Sequence, residues 1–503
     1  MNKQAYLTTL TRLLSVFLAL SITSASWGQV KVTESDEQDY LEIIEMTVSA
    51  AAQPSPLFKH RLTFLPHQMT DGNAATGYLH ALSGNGMTRK WRNWNKEFGE
   101  DVEGWAYYDT PREEIPIDKM RQVVNGFADE IDHHVSRATR RKHCDWGYHL
   151  EELSGPITIG VSVNALQDTR MLSRTLALTT KLAILESRFD DAVNLMRMNY
   201  RLAENVGRES LLVADLIGFA EIGITNKNMV DFIAAADAPN MYWALRELPR
   251  PLVDIRDAIR MESSIGLRIF PAIANADTAE HSSEEWNRLA REQAHLVLNN
   301  MQYISGNPKP QTGNKWIEFA PLAVGIYSYT SAKKRLVESG VTSEQVEKMA
   351  VGQVLLQDAK REYQQSADLL ESVAYLPPAD RKRRSDEVEE LLHKSQLNPK
   401  GFGQIIAAML FPATQQAMRA QQLRIEREVD ALLVIEALRM HAAETGRFPE
   451  TLADVSVVPV PNNPATRKPF KYRLDGGTAV LELPKSDGVP IAKRFKVSLK
   501  GNN

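Results

Sequence analysis

The chain has 503 residues, 43% of them hydrophobic, and its 59 basic side chains nearly balance 63 acidic ones, for a net charge of −4. That content supports a sizeable core and excludes a disordered chain, and the length suits two to four domains. The balanced charge gives no global pull toward nucleic acid or an anionic membrane, so no nucleic-acid partner is expected.

Residues 1–28 read as a secretory signal peptide. Lys3 and Arg12 open it, an apolar run from Leu13 to Ile22 follows, and Ser26 and Gly28 put small residues at the −3 and −1 positions of a cleavage site. Cleavage between Gly28 and Gln29 would leave a periplasmic or extracellular protein. Cys144 is the single cysteine, so no internal disulfide can form, and without a cysteine after the signal no lipid anchor is expected. No transmembrane span is expected after cleavage. The nearest stretch, Trp316 to Tyr329, is short and carries Glu318 and Pro321.

The mature chain divides into residues 29–156, an N-terminal helical and irregular region; 157–400, a helical hairpin core; and 401–503, a long helix with a small antiparallel sheet. The expected fold is mainly α, a multi-helix antiparallel hairpin array or bundle with a small C-terminal antiparallel β-sheet. Asp36 to Ala52 suits a short helix that ends before Pro54 and Pro56. Gly84 to Pro116 is rich in Gly, Trp, Tyr and charge without a period and reads as an ordered irregular segment or a long functional loop. Helical signal returns from Asp118 to about His143.

The strongest period follows. Phe189, Ala192, Val193, Met196, Tyr200 and Ala203 share one helical face, and Met171, Leu178, Leu182 and Leu185 form an earlier stripe. The break at Ser187-Arg188-Phe189-Asp190 is tight, with Asp190 a plausible N-cap, so the two helices should pack antiparallel. A third helix should run from about Leu211 to Ala236, where Gly218 and Gly223 would allow close approach. Pro249 and Pro251 mark a corner. Further helices are expected near Ser283 to Met301, Trp316 to Ser339, Ser343 to Val373 and Asp386 to Lys394, the last preceded by a basic linker, Arg381 to Arg384. A long helix from Gln415 to Glu444 is apolar all round between Ala431 and Ile435, and Gly446 ends it. Phe470 to Leu474 and Thr478 to Leu483 alternate about Asp475-Gly476-Gly477, a hairpin to which Phe495, Val497 and Leu499 add a strand.

Three resemblances accompany these elements. Ser187 to Ala192, opening the second helix of the hairpin, resembles one tetratricopeptide-type unit, without a second copy at a fixed period. The stretch from Gly446-Arg447-Phe448-Pro449 through Lys468 to Tyr472 resembles the helix end and small sheet of type II secretion pseudopilins, whose prepilin cleavage glycine and apolar N-terminal helix this chain lacks. Gly72 to Ala75, Cys144-Asp145-Trp146, Pro239 to Pro251, Val351 to Val354 and Ile435 to Leu481 resemble a family of uncharacterised exported proteins of planctomycete-type bacteria, a likeness that implies no activity.

Phosphate-binding loops, nucleophile elbows and His-Glu-x-x-His motifs are absent, and Gly401-Phe402-Gly403 lacks the third glycine of a dinucleotide loop. The suggestive cluster is histidine: seven of eleven lie between His60 and His149. Glu130 and His134 would share a helical face, and with His143 and Cys144 they supply the carboxylate, imidazole and thiolate types that hold zinc. Their spacing matches no standard site, and Arg137, Arg140, Arg141 and Lys142 would oppose a cation. The alternative is a surface helix with Cys144 packed as a small hydrophobe beside Trp146. Trp91, Trp94, Trp105, Tyr107 and Tyr108 would stack on sugars or peptides, or anchor their segment to helices beneath. The leading expectation is therefore a non-enzymatic exported helical protein, without catalytic residues or cofactor, that binds a protein or peptide partner in the cell envelope. The alternatives are a metal-dependent hydrolase or metal-binding protein using the His60 to His149 region, and an accessory of a secretion or pilus-like assembly.

Overall fold

The computed structural model describes residues 31–35, 39–83, 86–99, 102–108, 110, 112–155, 162–304, 328–397, 400–486, 489 and 492–500. The signal peptide, its cleavage site and most of the stretch beginning at Trp316 lie outside them. In chain order the main elements are β1 (Lys31–Ser35), β2 (Asp39–Val48), β3 (Thr70–Asn73), α1 (Ala74–Leu82), α2 (Gly86–Phe98), α3 (Ile117–Asn125), β4 (Arg141–His143), α4 (Asn164–Leu185), α5 (Phe189–Val206) and α6 (Leu212–Ala234). After these come α7 (Arg256–Ile269), α8 (Ser283–Ile304), α9 (Val351–Ala374), α10 (Arg381–Leu397), α11 (Phe402–Thr445), β5 (Lys471–Asp475), β6 (Thr478–Leu483) and β7 (Ala492–Leu499). The fold is mainly α with a small sheet completed by the C-terminal strands. Among the described residues no helix is long and apolar enough to cross a membrane.

The described residues form two compact units that do not follow contiguous blocks of sequence. One gathers Tyr148–Ser162 and Arg256–Met418; the other gathers Ile22–Gly147, Val163–Ile255 and Arg419–Asn503. In the first, α9 packs against α7, α8 and α10. Gly352 permits the α8 crossing, since a Cβ there would lie 2.2 Å from the Trp286 carbonyl oxygen, and its own N–H donates to Asn287 Oδ1 at 2.8 Å. The Gly401-Phe402-Gly403 run belongs here as well. A Cβ on Gly403 would meet the Ala359 carbonyl at 2.1 Å, so these glycines let the start of α11 lie on α9.

In the second unit α4, α5 and α6 pack on one another, with Leu176, Leu182, Met196, Ala203, Phe219 and Ile222 buried between them. Gly218 makes the close approach its residue type suggests, 2.9 Å from a Cβ to the Ala203 carbonyl, whereas Gly223 has ordinary room. The sheet has the order β1-β2-β7-β6-β5. Its C-terminal strands are antiparallel as expected, and Gly476 and Gly477 turn the hairpin at φ +54° and +87°. Ile435 and Leu438 of α11 are fully buried. The helix joins the sheet through Glu428 to Lys493 at 2.8 Å and Arg427 to the Pro484 carbonyl at 2.7 Å.

Five expectations are corrected. The described part of Asp36 to Ala52, from residue 39 on, is not a helix: β2 pairs parallel with β7, Ile44 opposite Phe495 and Met46 opposite Val497. Leu41, Ile44 and Val48 fit a helical period, but Ile44, Met46 and Val48 alternate inward and a partner strand about 450 positions away selects that alternative. Gly84 to Pro116 contains α2, which buries Met87 and Trp91 four residues apart. The continuous helix expected from Ser343 to Val373 is two, Ser343–Lys348 and α9, separated by extended Met349 and Ala350. The basic run from Arg381 is no linker but the first turn of α10, held by Lys382 to Asp386 at 2.8 Å and Arg384 to Glu387 at 2.6 Å. Asp190 is not the N-cap of α5. Arg188 occupies that position and pairs with Asp191 at 2.6 Å, while Ser187 turns the chain at φ +58°.

Candidate ligand-binding site

After β2 the chain crosses the second unit as an extended segment. Its start is fixed by Arg439, which is fully buried in α11. The guanidinium donates to the Ser49 carbonyl at 2.9 Å and the Ala238 carbonyl at 2.7 Å, and its Nη1 donates to both carboxylate oxygens of Glu436 at 3.0 and 2.9 Å. Further along, Phe58 lies against Trp243, Arg61 pairs with Glu247, and Phe64 lies beneath the Arg197 guanidinium at 4.5 Å. These contacts hold the segment over α5, α6 and the Pro249 corner without closing the space between them. The result is a cavity of about 490 Å³. Its walls include Leu62, Phe64, Met69, Ile222, Leu248 and Leu252, and its polar groups come from Thr63, Lys142, Tyr200, Arg201, Glu204 and Glu247.

The polar groups are ordered from behind. Tyr200 donates to Asn226 Oδ1 at 2.8 Å. Arg201 pairs with Glu204 at 2.6 Å and donates to the Arg141 carbonyl at 3.0 Å, while its Nε has no hydrogen-bond partner among the described residues. Arg208 follows the same face, donating to Glu204 at 2.7 Å and to the Lys142 carbonyl at 3.2 Å. Lys142 pairs with Asp71 at 2.9 Å. Among the described residues, Glu247 Oε2 is buried without a hydrogen-bond partner. Burial first, and repulsion from Arg140 second, lower the Arg197 pKa. The pocket is thus apolar on most sides and carries charges of both signs.

The residues proposed from sequence for a metal lie elsewhere and do not form one ligand set. Glu130, in a π-helical turn over Glu130–Val135, pairs with Lys90 at 2.6 Å. His134 meets His80 edge-on at 5.9 Å. His143 is exposed on β4. Cys144 is half-buried, and burial pushes its thiol up to about 12, so it rests as a neutral thiol. Among the described residues the group whose ligand atoms do gather is His149, Glu151 and Glu152, all exposed. The aromatic segment is anchored. Trp91 donates to Thr175 at 3.1 Å, Trp105 is buried, Tyr108 donates to Glu42 at 2.8 Å, and Lys227 lies over the rings of Tyr107 and Tyr108.

Sequence reasoning missed the cavity. The signal available was Arg197, Arg201 and Glu204, spaced by four and three beside the apolar stripe of α5, with Arg208 four positions on, just past its end. No family model matches the chain, and neither a curated protein nor a solved structure is significantly similar to it.

Proposed function

We propose that the protein is an exported, non-enzymatic binding protein that receives a peptide segment of an envelope partner in the cavity of its second unit. The observation that carries this reading is the cavity itself. Its volume of about 490 Å³ falls within the range of small-ligand sites, and its lining has their usual character, apolar walls with a few placed polar groups. A peptide suits that lining because each residue offers an N–H donor and a carbonyl acceptor beside an apolar side chain. Glu204 and Glu247 are available to the donors, Arg201 and Lys142 to the acceptors.

The test is calorimetric titration of the full mature chain with a library of hexapeptides, repeated on Thr63→Trp. Thr63 lines the cavity on the half-buried segment, so the indole fills the space without entering the helical core. Saturable binding abolished by Thr63→Trp, with an unchanged denaturation midpoint, is expected. Absence of peptide binding, or binding indifferent to Thr63→Trp, overturns the proposal. Export is tested separately: protein recovered from the envelope should begin at Gln29, and a Met1 start refutes it.

A further inference from the structure

We infer that the cavity recognises the C-terminal end of a polypeptide, holding its carboxylate at the side formed by Arg201 and Lys142 and its last apolar side chain against the walls near Phe64 and Met69. This rests on the peptide-binding reading above and adds which part of the peptide is read.

Positive charge gathers here that neighbouring carboxylates only partly balance. Arg140, Arg141 and Lys142, at and beside β4, face Arg197, Arg201 and Arg208 along and just beyond α5. The two rows are held together by backbone carbonyls of one accepting from guanidinium groups of the other, the Arg141 carbonyl from Arg201 and the Lys142 carbonyl from Arg208. Two carboxylates, Asp71 and Glu204, pair with three of the six cations. Arg140 and Arg197 instead lie over the Phe64 ring, at 5.9 and 4.5 Å. Bringing like charges this close costs stability. An anion docked among them would remove that repulsion. Arg201 adds a positional argument, since it lines the cavity with a buried Nε that lacks an acceptor.

The anion must also tolerate acids. Glu204 and Glu247 line the same cavity, which disfavours a simple fatty-acid anion, whose chain offers these carboxylates no donor. A chain end satisfies both conditions, with one carboxylate, main-chain N–H donors and an apolar side chain. Capture of a terminal carboxylate by clustered donors is a recurring mode of peptide recognition.

The experiment titrates the full mature chain with one hexapeptide ending in Leu-Leu, supplied as the free acid and as the C-terminal amide, with octanoate as a third probe. The free acid is expected to bind at least tenfold more tightly than the amide. Lys142→Gln, at a half-exposed position, and Arg201→Gln should each weaken the acid severalfold and the amide by less, so that the preference for the acid narrows, with far-UV circular dichroism confirming the fold. Equal binding of acid and amide overturns this inference while the peptide-binding reading stands. Binding of neither form overturns this inference, and absence of binding across the hexapeptide library overturns both. Octanoate bound in preference to the acid overturns the chain-end assignment.

Discussion

Glu221 offers the sharpest test of the helical core. It sits on α6, fully buried, with Oε1 accepting from the Thr169 hydroxyl at 2.8 Å and Oε2 without a hydrogen-bond partner. Burial pushes its carboxyl up to about 8, against smaller opposing effects of the Thr169 hydrogen bond and Arg170. The folded state therefore keeps a proton that the unfolded chain releases near the ordinary value of 4.5. Between those values the native state binds more protons, so stability falls as pH rises and levels off above about 8. Holding a carboxyl at about 8 rather than 4.5 corresponds to about 5 kcal/mol in favour of the neutral form. Relaxation and water entry reduce what is measured to about 2–5 kcal/mol. Glu221→Gln is isosteric with the neutral acid and does not titrate. The assay is urea denaturation of wild type and variant at pH 5, 7 and 9, followed by circular dichroism. The variant should be within about 1.5 kcal/mol of wild type at pH 5 and gain on it by the stated amount at pH 9. A difference independent of pH would refute the reasoning, because it would mean Glu221 is equally ionised folded and unfolded.

Met196 is fully buried on α5, and Met196→Ala should cost about 2–5 kcal/mol in urea denaturation. Phe189, expected to be buried, is only half-buried and meets Phe232 edge-on at 5.4 Å, so Phe189→Ala should cost about 2 kcal/mol, less than Met196→Ala at the upper end. Gly352→Ala forces a methyl onto the Trp286 carbonyl and should lower the thermal midpoint by the equivalent of about 1–3 kcal/mol. Gly477→Val faces open space but at φ +87°, so its loss, about 1–2 kcal/mol, should come from the backbone alone; an unchanged midpoint would show that the hairpin turns differently.

Local pattern determined much of this protein. The α4–α5 hairpin follows from two apolar stripes, the buried Ala431 to Ile435 from continuous apolarity, and the β5–β6 turn from two glycines, because each depends on neighbours a few positions away. What the sequence left undecided needed distant partners. Ile44, Met46 and Val48 form a strand only because β7 is there to pair with. Gly401 and Gly403, which lack the third glycine of a dinucleotide loop, have no evident role until α9 is seen against them. The zinc candidates share a stretch of sequence, yet their side chains separate between a π-turn, a strand and a half-buried thiol. The cavity was the least legible feature. It exists because Arg439, far along the chain, fixes the backbone at Ser49, and because Arg61, Phe58 and Phe64 tie an irregular segment across α5 and the Pro249 corner. No local period encodes a space left between segments; only the packing of chain parts far apart in sequence creates it.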